Sequence, residues 1–187
     1  MREVESEIYP MNQDEFFAFV IDVLEELDIP YMITGSVASM AYGEPRMTLD
    51  MDIVVDLFNK KAEKFCQKFD ENFYKDLDSI LEAIRTKDHF NIIHVSSGSK
   101  ADFYQLKDDP LSQQMFKNRR QESFREDKMA YFSRPEDVII IDLLSRKQND
   151  KSPDFVGSKD RRFVIDKEKV NNKLIFYKEG KSEKPSG

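Results

Sequence analysis

The chain has 187 residues and a formal net charge of −7, from 36 acidic against 29 basic side chains. That length suits one domain with a short appendage, and that charge excludes attachment to nucleic acid or membrane by bulk positive charge, though not a local basic groove. Fifteen Phe in a 40% hydrophobic composition supply a core, no apolar run nears the roughly 18 residues of a membrane span, and one cysteine, Cys66, precludes an internal disulfide.

A reducing cytoplasm is the expected compartment, and the acidic start Met1-Arg-Glu-Val-Glu-Ser-Glu7 has no signal-peptide apolar stretch. Asn12-Gln-Asp-Glu15 has the form of a capping box, and Phe16, Val20, Val23, Leu24 and Leu27 recur at helical spacing until Pro30. The β-prone residues 31–34 run into Gly35-Ser36, and residues 36–42 read as a short helix closed by Gly43. After a loop through Pro45, residues 50–55 form a strand, followed by helices near 59–69 and 75–85. Residues 91–96 and 100–106 flank Ser97-Gly-Ser99 as a β-hairpin.

A polar helix is expected over 111–121 and a short strand over 128–132. Ser133-Arg-Pro-Glu136 is a second capping box, opening a helix that runs to Arg146-Lys147 with bases at its C-terminal end. Residues 148–158 read as a polar linker, 163–165 with 174–177 as a last small element, and 179–187 as disordered. From residue 150 onward ten Lys/Arg face seven Asp/Glu, so the acid surplus belongs to the body of the chain. This order implies an α/β (α+β) fold, a mixed sheet with flanking helices over 1–147, and a C-terminal extension over 148–187.

Three places can carry chemistry. Gly35-Ser36 follows a strand, where glycine lets the backbone approach a ligand and the next helix offers free N–H groups to a phosphate. By itself the pair is more often a turn and an N-cap. Asp50-Met-Asp52 sets two carboxylates on one strand face, Cα atoms roughly 6.5 Å apart, a natural seat for a divalent cation between protein and phosphate. Hard oxygen ligands suit Mg²⁺ or Mn²⁺. The Asp-x-Asp pattern alone is cheap, since Asp76-Leu-Asp78 repeats it in a solvated helix, but Asp50 and Asp52 open the apolar run Ile53-Val-Val55. In Lys100-Ala-Asp102-Phe-Tyr104, Asp102 sits in a β-prone strand, where it either faces solvent, pairs with a base or joins the other two acids.

A strand ending in Gly-Ser, thirteen intervening residues, Asp-x-Asp on a second strand and a later Asp on a third together resemble the DNA polymerase beta-like nucleotidyltransferase superfamily. The resemblance covers roughly residues 31–105 and more loosely 133–147. The run Arg46-Met-Thr48-Leu-Asp50-Met-Asp52 looks like that of small stand-alone bacterial and archaeal members, including a toxin-like branch. By that resemblance Gly35 and Ser36 hold a triphosphate, Arg46 and Thr48 shape or charge-balance the loop entering the acidic strand, and Asp50 and Asp52 bind Mg²⁺ (or Mn²⁺). Asp102 completes the carboxylate set at the metal and is also the candidate base for an attacking hydroxyl; two metals about 3.5–4 Å apart, held by such carboxylates, would stabilise attacking and leaving oxygens together. The implied activity is metal-dependent transfer of a nucleoside monophosphate from an NTP to a hydroxyl on a small molecule, a tRNA or a protein. Related members carry a lysine in a segment like Glu136-Asp-Val-Ile-Ile-Ile-Asp142-Leu-Leu; Asp142 replaces it here, and Lys159-Asp160 lies downstream. The alternatives are therefore a degenerate nucleotide- or partner-binding module of the same fold, or the toxin of a two-gene system with an antitoxin-like partner.

Other signals fall away. Gly180-Lys-Ser182 lacks the upstream glycine of a P-loop, and no Gly-x-Gly-x-x-Gly occurs. His89 and His94 have no cysteine near them for zinc, and Cys66 has no evident base partner. Lys117-Asn-Arg119-Arg120 with Arg125 reads as the wet face of a helix, or as a weak candidate for contacting a nucleic-acid acceptor.

Overall fold

The structure, a computed structural model, describes residues 11–41, 50–126 and 128–138. In chain order its elements are α1 (Gln13–Glu26), β1 (Tyr31–Thr34), α2 (Gly35–Ala41), β2 (Asp50–Val55), α3 (Asn59–Gln67) and β3 (Phe73–Tyr74). Then follow α4 (Leu77–Thr86), β4 (His89–His94), β5 (Lys100–Gln105), α5 (Pro110–Lys117), β6 (Arg120–Arg125) and β7 (Lys128–Phe132). The expected mixed α/β architecture is what the chain adopts. Seven strands form one sheet in the order β3-β4-β5-β2-β1-β7-β6. The pairings β2–β5 and β1–β7 are parallel, and β1–β2, β3–β4, β4–β5 and β6–β7 are antiparallel.

Local chemistry sets the helix ends. The Asn12 side chain accepts from the Glu15 N–H at 3.0 Å, and the Glu15 carboxylate accepts from the Asn12 N–H at 2.8 Å, a complete capping box. Asp76 caps α4 by accepting from the N–H groups of Asp78 and Ser79, so this second Asp-x-Asp is structural. Lys87, with φ of +56°, ends the same helix in the left-handed region.

The two faces of the sheet differ in kind. Met51, Ile53 and Val55 of β2 point to one face with Ile33, Phe90, Ile92, Ala101 and Phe103, beneath α1, α3 and α4. Phe65 of α3 is fully buried there, its ring edge-on to Phe69, Phe90 and Phe103 at centroid distances of 5.1, 5.9 and 5.4 Å. The opposite face has a small apolar cluster, Met32, Leu106 and Phe116, packed by Val54. Beside that cluster lie the polar residues of β1, β2, β4 and β5.

Three expectations are corrected. The helix expected over 111–121 stops at Lys117, and from Arg120 the chain is strand β6. Arg-Gln-Glu-Ser-Phe-Arg has no strand alternation of its own; pairing with β7 makes it a strand. The basic run is therefore not a wet helix face, and the Arg119 guanidinium lies 4.3 Å from the Phe116 ring centroid and 5.0 Å from that of Tyr131. Ser133 does not act as a cap: its buried hydroxyl has no hydrogen-bond partner, while Asp137 and Val138 donate to the Arg134 carbonyl. The two-residue strand β3 was not anticipated. The helix of 135–138 is described, whereas its continuation to 147, the domain division at 147/148 and the extension lie outside the described residues. Among the described residues no helix is long and apolar enough to cross a membrane.

Replacing Phe65 by Ala is expected to cost about 3–5 kcal/mol in urea unfolding, against roughly 0.5 kcal/mol or less for Phe58→Ala. Phe58 is 51% exposed, so the contrast checks which aromatic residues form the core.

Candidate active site on the carboxylate face

Strand β1 ends at Thr34, and Gly35 follows with φ of +63°, a conformation that L side chains rarely adopt. A Cβ at Gly35 would lie 2.1 Å from Asp52 Oδ2. Glycine is thus required twice, for its backbone angle and because the main chain presses directly on the Asp52 carboxylate. Ser36 occupies the first turn of α2, partly buried, and Ser39 Oγ donates to the Gly35 carbonyl at 3.0 Å.

Register assembles the rest. Asp52 is opposite Thr34 on β1 and opposite Asp102 on β5, while Asp50 is opposite Lys100 and Asn91 of β4 is opposite Asp102. Partners in register share a face, and residues two apart along a strand do too. Asp50, Asp52, Asp102, Lys100, Tyr104, Thr34 and Asn91 therefore meet on one face, and the three sequence-predicted acids are neighbours. Lys100 Nζ lies 2.8 Å from Asp102 Oδ2 and 3.6 Å from Asp50 Oδ2. Of the three settings open to Asp102, solvent, a base or the other acids, it has the last two: it pairs with Lys100 and lies beside Asp52.

The electrostatics follow from that crowding. Burial pushes the Asp52 carboxyl above the usual aspartate range, and the charges of Asp102 and Asp50 push it the same way. Lys100 and a hydrogen bond from Tyr104 act in opposition. The Tyr104 phenol is raised, first by burial and then by Asp52 and Asp102. The Lys100 ammonium is held above its ordinary value, chiefly by its hydrogen bond to Asp102. His89 stacks on Tyr104 with ring centroids 5.8 Å apart.

Among the described residues, no three or more His, Cys, Asp or Glu side chains form a ready metal cage. Mg²⁺ needs none: it is commonly held by one or two carboxylates, its remaining positions filled by water and substrate phosphate. Asp50 and Asp52 are hard oxygen donors on one face, and they fit that requirement. The buried Thr34 hydroxyl, opposite Asp52, has no hydrogen-bond partner of its own.

Arg46, Thr48 and Asp142 lie outside the described residues. Sequence reading missed Lys100, Tyr104 and Thr34, although the period-two run Lys100-Ala-Asp102-Phe-Tyr104 already placed Lys100 and Tyr104 on the face of Asp102. The remaining candidates have structural settings. His94 is buried, its Nδ1 2.8 Å from Ser97 Oγ and its ring 5.1 Å from that of Phe73. Burial pushes the Cys66 thiol up, the reverse of what a nucleophile requires.

No protein-family model and no curated protein sequence matches the chain. Among solved structures it is similar to a putative nucleotidyltransferase from Thermotoga maritima, with 17% identity and a TM-score of 0.48 over 72% of this chain and 85% of that one. A likeness of that size bears neither on activity nor on individual residues.

The close approach at Gly35 is testable against Gly98, which also has positive φ (+69°) but where an added Cβ would meet nothing within 4 Å. Gly98→Ala is expected to cost about 1–2 kcal/mol, the left-handed penalty alone, and Gly35→Ala clearly more. Asp52 supplies a pH signature. Its folded-state pKa is raised from 3.8, so the native state keeps the proton over a window extending upward from there. Stability contributed by that proton is present at low pH and lost as pH rises through the folded value. Asp52→Asn should therefore leave thermal stability near wild type at pH 3.5 and raise the melting temperature at pH 7, without metal.

Proposed function

We propose that this chain is a metal-dependent nucleotidyltransferase, moving a nucleoside monophosphate from an NTP to a hydroxyl acceptor. One observation carries the reading: Asp50, Asp52 and Asp102 stand side by side on adjacent strands, with the Gly35 main chain pressed against Asp52. Like charges in such proximity repel, and a site that keeps them together is suited to a cationic, phosphate-bearing occupant. Gly35 brings backbone, unshielded by a side chain, close against Asp52.

In this reading Asp50 and Asp52 hold Mg²⁺ or Mn²⁺, which when bound neutralises charge on the transferring phosphate. Gly35 and Ser36, with Arg46 and Thr48 on the approach to β2, position the triphosphate. Asp102 takes the proton of the attacking hydroxyl as its oxygen bonds to the α-phosphorus, and pyrophosphate leaves with the electron pair of the broken bond. Lys100 holds Asp102 in place during that transfer. The acceptor class remains a small molecule, a tRNA or a protein, and a cytoplasmic setting is consistent with the lone cysteine.

Incubating the full chain with labelled NTPs, Mn²⁺ or Mg²⁺ and cell extract should give label on an acceptor. The double substitution Asp50→Asn, Asp52→Asn should reduce it by at least about a hundredfold, the scale of losing one electrostatic stabiliser of the transition state. Transfer that survives the double substitution would remove these residues from the reaction.

A further inference from the structure

The position of Lys100 raises a question that the transfer reaction leaves open, namely how much metal the acid cluster can hold. Lys100 is opposite Asp50 in the β2–β5 register and two residues before Asp102 on its own strand. Its ammonium is within 4 Å of both carboxylates, 2.8 Å from Asp102 and 3.6 Å from Asp50. Asp102 is the most enclosed member of that trio, its side chain 13% exposed against 31% for Lys100 and 48% for Asp50. Asp52, by contrast, is approached by the Tyr104 hydroxyl and by the Gly35 main chain.

We propose that Lys100 is a tethered counter-cation standing where a second divalent ion would otherwise sit, so that the cluster loads one divalent cation and not two. The proposal rests on the metal-dependent reading of the site. A divalent ion shared by Asp50 and Asp102 would have to sit about one ion-pair distance from the ammonium, where a double and a single positive charge repel strongly even under partial solvent screening. Charge points the same way: three carboxylates, one ammonium and one divalent ion are neutral together. Asp50 and Asp52 remain as the pair that takes the metal, and Asp102 is reserved by Lys100. A two-metal arrangement, which needs carboxylates bridging ions about 3.5–4 Å apart, is closed while the ammonium stays.

The test is a Mn²⁺ titration of the full chain, with free ion followed by electron paramagnetic resonance, on wild type, Lys100→Arg and Lys100→Met. One Mn²⁺ per chain is expected for wild type and for Lys100→Arg, which keeps the charge. Lys100→Met is expected to take a second, bound at least about tenfold more tightly than any second ion on wild type. Its melting temperature should fall below wild type without metal and recover with Mn²⁺, a response that loss of packing alone would not give. Should Lys100→Met fail to fold, Lys100→Gln carries the same measurement. Two comparable Mn²⁺ sites on wild type, or one site on every variant, would overturn the role of Lys100 while leaving metal-dependent transfer standing. No Mn²⁺ on any of the proteins would overturn both.

Discussion

The parallel pairing of β2 with β5 is the constraint on which the candidate site depends. Six consecutive residues match, from Asp50 opposite Lys100 to Val55 opposite Gln105. That register does two things at once. It stacks Met51, Ile53, Ala101 and Phe103 into the Phe-rich core, and it brings Asp52 alongside Asp102 on the other face. A slip of one residue would turn Ile53 and Phe103 out of the core and bury carboxylates, so the hydrophobic face enforces the arrangement of the acidic one. The polar site inherits its precision from the apolar packing beneath it.

Such an arrangement has an internal tension. Burial and two neighbouring carboxylates all disfavour ionised Asp52, and among the described residues Lys100 and Tyr104 relieve it. Parallel strands are normally buried on both faces and read as continuous apolar runs. Here β2 and β5 depart from that rule at Asp50, Asp52, Lys100, Asp102 and Gln105, and three of the five are aspartates. A sequence selected for stability alone would place Val or Ile there, as it does at Val54. Local disagreement between packing and composition is where a chemical role is to be sought.

Much of this was legible in the sequence, for physical reasons that differ from residue to residue. The alternation Asp-Met-Asp-Ile-Val-Val reads as a strand with both acids on one face because period two is a strong local signal. Gly35 stood out because it joins a strand to a helix, yet only three dimensions reveal that a side chain there would collide with Asp52. Lys100 is hard to find in the sequence because strand pairing, not chain proximity, brings it to Asp50, 50 residues away. Strand β6 is hidden in the sequence for a related reason. Its residues have neither strand alternation nor β-branched bulk, and its conformation comes from β7 across a tight hairpin. Ser133 illustrates the opposite error: the capping-box pattern is present, but the segment continues along β1 through a hydrogen bond from its N–H to the Ile33 carbonyl, and the helix starts one residue later.

The acid surplus takes on a different meaning once these acids are located. As a global property, a charge of −7 argues against polyanion binding, because long-range attraction scales with net charge. Over the few ångströms that govern a bound phosphate, however, the field belongs to the nearest groups, and beyond about 8–10 Å salt removes the rest. On this face the nearest groups are three carboxylates already offset by one ammonium. Adding a divalent ion brings that local set to neutrality, whatever the remaining surface carries. A negatively charged chain therefore has no intrinsic conflict with a triphosphate. It makes recognition conditional on the cation, since without one the same carboxylates that would orient the substrate repel it.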